Sequence, residues 1–116
     1  MRPEGHSLSR FADTLDRLAA TIAARKGSDP ASSYTAKLLS EGPERLAKKF
    51  GEEAVETVIA AAQGDKAALA SESADVIYHW LVLLAGLGVS LDEVAAKLEA
   101  REGASGLAEK ASRKPS

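Results

Sequence analysis

Acidic residues recur three apart at two places in the chain, Glu53 with Glu56 and Glu72 with Asp75. On a helix, residues three or four apart share a face, so each pair sets two carboxylates side by side. If the two helices lie against one another, four carboxylates meet across a gap. Crowded acids raise one another's pKa and weaken a fold unless a cation sits between them. The ligands would all be oxygens, with at most one imidazole nearby, and such a set suits magnesium or manganese better than zinc or copper. Magnesium also keeps several waters and binds through carboxylates together with substrate phosphates, which points to a phosphorylated substrate.

An acidic helix face in an alanine-rich chain is more often plain solvated surface. Three features argue against that reading here. The acids are doubled at matching spacing on consecutive helices. None has a Lys or Arg four residues on, so they are not ordinary helix ion pairs. Asp75 also runs directly into the most apolar stretch of the sequence, Val76 to Val89.

The elements that carry these acids are legible from periodicity. Leu8, Phe11, Leu15, Leu18 and Ile22 recur at helical steps and predict a first helix that stops near Lys26-Gly27. Asp29-Pro30 reads as an N-cap followed by Pro in the first turn, opening a shorter second helix through Leu39. A third helix is expected from Pro43 to about Gln63. In it Leu46, Phe50, Ala54, Val55, Val58, Ile59 and Ala62 fill one arc, and Lys49, Glu52, Glu53 and Glu56 lie opposite. Gly64 and Asp65 leave almost no loop before a fourth helix, Lys66 to Leu87, so the two must fold back as an antiparallel hairpin. Ser90 and Glu93 form a capping box that starts a fifth helix ending near Gly103. The tail beyond it, 104–116, is too poor in apolar residues to hold structure alone, and residues 1–7 are expected to be flexible. The fold class is therefore all-α: one domain, a bundle of about five helices around a central hairpin.

Composition agrees and excludes much. The 116 residues suit a single core, and 23 of them are alanine, which favours closely packed helices. There is no cysteine, so disulfides, thiolate nucleophiles and thiolate metal sites are all absent. A net charge of −2 with acids and bases interspersed gives no footprint for nucleic acid. The start of the chain has no signal-peptide core, and Val76–Val89 is too short to span a bilayer, so a cytoplasmic protein is expected. A helix apolar on nearly every side also needs more cover than four short helices give. Part of Val76–Val89 is thus expected in a subunit interface, most simply of a homodimer.

Three segments extend the acid pattern: Ser33-Tyr34-Thr35-Ala36-Lys37-Leu38-Leu39, Lys48-Lys49-Phe50-Gly51-Glu52-Glu53-Ala54-Val55-Glu56 and Glu72-Ser73-Ala74-Asp75-Val76-Ile77-Tyr78-His79. Together they resemble the phosphoribosyl-ATP pyrophosphohydrolases, which catalyse the second step of histidine biosynthesis. That family lies within the all-α NTP pyrophosphohydrolases, whose mark is E-x-x-E, a spacer, then E-x-x-D. The likeness runs from about Ser33 to Lys114, and Phe50 stands where an aliphatic residue is usual.

The resemblance implies magnesium-dependent hydrolysis of N1-phosphoribosyl-ATP to N1-phosphoribosyl-AMP and pyrophosphate. It implies Glu53, Glu56, Glu72 and Asp75 as metal ligands. Glu52 would then orient the attacking water or stand behind the direct ligands. Lys48 and Lys49, one turn before the motif, would hold phosphate oxygens, although Lys48 also reads as a solvated base and Lys49 as a counter-charge to the acids. Tyr34, Thr35 and Lys37 would border the substrate pocket, although on sequence alone Tyr34 reads as a packing residue. His79 would contact substrate or serve as a hydrogen-bonded core residue. The length leaves no room for the phosphoribosyl-AMP cyclohydrolase module that some relatives carry. Two rival readings keep the same helices: a pyrophosphohydrolase acting on free nucleoside triphosphates, and a dimerisation module whose acids are surface decoration.

Overall fold

The computed structural model describes residues 3–103, and within these it contains five α-helices, one 3-10 turn and no strand. The expectations for the tail 104–116 lie outside the described residues, as do residues 1 and 2. Helix α1 spans Pro3–Arg25, beginning five residues before the apolar pattern at Leu8 and taking in most of the stretch expected to be flexible. Arg25 lies in its last turn, and Gly27 follows at φ 85°. Ile22 is its buried anchor, with Leu15, Leu18 and Ala19 against the core, while Phe11 stays 55% exposed.

The second predicted helix is two elements. Asp29 caps as expected, its carboxylate accepting from the Ala31 amide at 3.0 Å, but only the 3-10 turn Pro30–Ser32 follows. Ser33 is extended at φ −166°, and its hydroxyl accepts from the Ala36 amide at 3.0 Å, so it caps the true helix α2, Tyr34–Ser40. Two capping residues four apart compete, and Ser32 donates back to the Asp29 carbonyl at 2.6 Å, which holds the first turn tight.

Helix α3 spans Pro43–Ala62 and α4 spans Lys66–Leu87. Between them Gly64 takes φ 69°, and the Asp65 amide donates to the Ala60 carbonyl at 3.2 Å, the hydrogen bond that closes a Schellman turn. The Asp65 carboxylate in turn accepts from the Ala68 amide at 3.0 Å and starts α4. The antiparallel hairpin is the principal packing of the molecule. Helix α4 ends at Gly88 in a second such turn, with Lys26 donating to the Ala85 carbonyl at 2.7 Å, a cation where unpaired carbonyls and the negative helix end attract one. Helix α5, Leu91–Gly103, carries the expected capping box, and α4 and α5 meet at 109°.

Ile22, Leu38, Leu46, Leu81 and Val82, from the first four helices, form the buried core. Two sequence expectations shift here. Val76–Val89 is covered mostly within the protomer: His79, Leu81 and Val82 are buried, and Leu87 is the large apolar side chain there that stays open, at 52%. The uncovered apolar surface lies instead on α3, where Val55, Val58 and Ile59 are 58%, 66% and 50% exposed. Helix α3 is rotated so that Leu46 and Ala60 are buried while most of its apolar arc points outward. No single described helix is long and apolar enough to cross a membrane.

Candidate active site

The hairpin brings the acids of α3 and α4 together. One carboxylate oxygen from each of Glu53, Glu56 and Glu72 lies within 4.8 Å of the other two, close enough for all three to hold one cation. Glu53 and Glu56 come from successive turns of α3, and Glu72 comes from α4. Asp75, one turn after Glu72, is exposed and outside this close group, although its charge reaches Glu72.

Glu72 is the most constrained of the acids. Its Oε1 is buried and has no hydrogen-bond partner. Burial, first, then the charge and hydrogen bond of Glu56, then the charges of Asp75 and Glu53, all push its carboxyl above its ordinary value of 4.5. A carboxylate oxygen shut away from water beside two other acids lacks only a positive charge. The donor set is hard oxygen throughout, with one oxygen already desolvated, and so fits a magnesium-type ion.

The two helices are joined at this level by Thr57, whose hydroxyl lies 2.9 Å from the Glu53 carbonyl and 3.3 Å from the Glu72 carbonyl. Sequence reasoning passed over Thr57. The available signal was a polar residue set between Leu46 and Phe50 on the helical wheel, at the edge of the apolar arc and four residues after Glu53.

The bases are less closely engaged. Lys49 reaches Glu52 at 3.8 Å, one turn along α3, which fits its reading as a counter-charge. Lys48 and Lys37 are exposed and form no ion pair with an acid among the described residues.

Beyond Asp75 the site runs into an aromatic cluster contributed by α2 and α4. Tyr34 stacks near Tyr78, with ring centroids 6.4 Å apart, and meets His79 edge-on at 6.5 Å. Tyr78 meets His79 edge-on at 5.0 Å, and its hydroxyl is 2.5 Å from that of Thr35. Burial raises the Tyr78 phenol, and the Thr35 hydrogen bond works against that shift. Tyr34 is 54% exposed, so it is not a core packing residue. His79 is 8% exposed; its Nδ1 lies 2.9 Å from the Asp75 carbonyl, which can only accept, so Nδ1 carries the proton. Nε2 is buried without a partner. The imidazole is thus a core residue through one nitrogen and unsatisfied through the other.

Comparison with known proteins shows the family. The family profile described as phosphoribosyl-ATP pyrophosphohydrolase matches residues 15–102. A phosphoribosyl-ATP pyrophosphatase of Caulobacter vibrioides is 69% identical over 104 residues, covering 90% of this chain and 96% of that one. A protein of the same name from Cereibacter sphaeroides is 68% identical over 99 residues, covering 85% and 96%. One from Caulobacter sp. strain K31 is 67% identical over 106 residues, covering 91% and 98%. The resemblance carried by the three sequence segments is therefore borne out, and the matched span takes in every helix from the middle of α1 almost to the end of α5. The chain is an enzyme of the phosphoribosyl-ATP pyrophosphohydrolase family.

Proposed function

We propose that this protein hydrolyses N1-(5-phosphoribosyl)-ATP to N1-(5-phosphoribosyl)-AMP and pyrophosphate in L-histidine biosynthesis, and that the reaction requires magnesium. The observation that carries the site assignment is the meeting of Glu53, Glu56 and Glu72 within 4.8 Å around a desolvated, unpartnered Glu72 oxygen. The substrate follows from family membership and from relatives named for this activity.

In this reading Glu53, Glu56 and Glu72 hold the ion, and Asp75 completes the set by turning inward from its exposed position. When bound, a magnesium ion held by these carboxylates would supply positive charge for the substrate phosphates and would make a water more acidic. The water adds across the bond between the α- and β-phosphates, releasing pyrophosphate. Glu52 lies beside Glu53 in sequence but outside the three-carboxylate group, so we assign it the orientation of that water rather than direct ligation. Lys49, already drawn to Glu52, supplies positive charge to the departing pyrophosphate, with Lys48 and Lys37 as outer phosphate contacts. Tyr34 offers a half-open ring face for the nucleotide, and the unpartnered Nε2 of His79 is a hydrogen-bonding group beside it. The working form is a homodimer whose interface uses the open apolar face of α3.

Pyrophosphate release tests the assignment, with and without magnesium, on phosphoribosyl-ATP beside ATP and a panel of deoxynucleotides. Magnesium-dependent release from phosphoribosyl-ATP alone is expected. Preference for a free triphosphate would keep the site and change the substrate, and release from none would remove the enzymatic reading.

A further inference from the structure

We propose that Thr57 is a positioning residue that sets the distance between the metal-ligating carboxylates of the two helices; the inference rests on the metal-site reading above. Its hydroxyl lies between the carbonyl of Glu53, 2.9 Å away in its own helix, and the carbonyl of Glu72, 3.3 Å away across the hairpin. A threonine in a helix ordinarily bonds the carbonyl four residues back, and that contact alone would be unremarked. The second contact is different. It joins α3 to α4 through a main-chain carbonyl, and with the first contact it ties together the backbones of Glu53 and Glu72, whose side chains belong to the three-acid group.

The chemistry calls for such a tether. Glu53, Glu56 and Glu72 repel one another when ionised, and the hairpin turn that fixes their spacing lies at Gly64, seven residues beyond Thr57. One hydroxyl proton shared between two carbonyls, each with a lone pair to spare, resists the splaying that repulsion favours. The cation then meets a gap already near its final width, which lowers the reorganisation needed to bind it.

The test is direct metal binding by the full chain, with manganese read by electron paramagnetic resonance and magnesium by calorimetry. T57V keeps the shape and removes the hydroxyl, and T57S restores it. I22V lowers stability in the core away from the acids and controls for loosening in general. T57V is expected to weaken manganese binding about fivefold, the equivalent of one neutral hydrogen bond. T57S and I22V should stay within about twofold of the parent on the same scale. Parent-like affinity in T57V, with E56Q losing binding, overturns the role of Thr57 and leaves the metal site standing. Equal weakening in T57S or I22V also overturns it. Failure of the parent to bind either metal overturns the site and this inference together. If T57V unfolds, T57A read in the same way carries the same expectations.

Discussion

Gly86, one residue before the end of α4, stands directly against Leu46 in the first turn of α3: a Cβ built on Gly86 would lie 2.4 Å from Leu46 Cδ1. At the open end of the hairpin the two helices therefore approach too closely for a side chain at this position. Ala is better than Gly in a helix by about 1 kcal/mol, so on propensity alone G86A should stabilise. We expect the opposite. Leu46 is 2% exposed and belongs to the core, so displacing it costs roughly 1–3 kcal/mol of overpacking. L46A alone should cost about 2–5 kcal/mol and at the same time open the space a Cβ needs. The double variant should then be more stable than the sum of the single changes, by a coupling above about 0.5 kcal/mol. Urea unfolding of the four proteins checks this, and additive losses would mean that Leu46 turns aside freely.

E56Q should abolish most activity while leaving the helical signal in circular dichroism nearly unchanged. Gln keeps the size and loses the charge, so only the cation is affected. The loss should exceed the roughly 10–100-fold typical of removing a ligand's own hydrogen-bond partner. D75N should cost less, because Asp75 is exposed and lies outside the close group. Steady-state rates across a magnesium titration separate the two. An equal loss in both variants would give Asp75 the full ligand role that its place in the motif implies.

How much of this was legible depended on whether the signal was local. The hairpin was readable because Gly64 and Asp65 sit next to each other and leave one way for the chain to go. The acids were readable because their spacing on each helix is local too. The second helix was misjudged because Asp29 and Ser33 are both good caps, and only the packed chain decides between them. For α3, a helical wheel gives the angle between the acids and the apolar arc but not which side the neighbour takes. The neighbour took the side with Leu46 and Ala60, leaving Val55 and Val58 open. The contact between Thr35 and Tyr78 spans 43 residues of sequence and left no trace in either segment.

Stability without metal should depend on pH through Glu72. Its carboxyl is raised in the native fold, by burial first and by Glu56 next, so the native state favours the protonated form. The stabilisation is full below the ordinary value of 4.5 and is lost as pH rises through the raised native value. Magnesium should restore it, because the ion favours the ionised ligands that protons otherwise occupy. The rise in melting temperature on adding magnesium should thus be larger near about pH 8 than near about pH 5. E72Q should melt higher than the parent in chelator at the upper pH and respond little to magnesium. Calorimetry in chelator and in magnesium across that range decides it. An increment that is flat with pH would remove Glu72 from the coupling.

The open face of α3 makes the last prediction. Val55, Val58 and Ile59 lie at helical spacing and are each at least half exposed in the protomer, a contiguous apolar strip rather than scattered contacts. In the homodimer proposed above, a second copy would present the same strip, since a two-fold interface pairs one surface with itself. Any substitution there enters the interface twice. V58E therefore sets two carboxylates into the apolar seam, where each must be desolvated or the subunits must part. Within one protomer the same change is mild, because Val58 is 66% exposed. Sedimentation equilibrium at micromolar concentration should give a dimer for the parent and a monomer for V58E, with the helical signal retained in both. A parent that sediments as a folded monomer would leave the strip without this partner. A dimer that survives V58E would move the interface to another face.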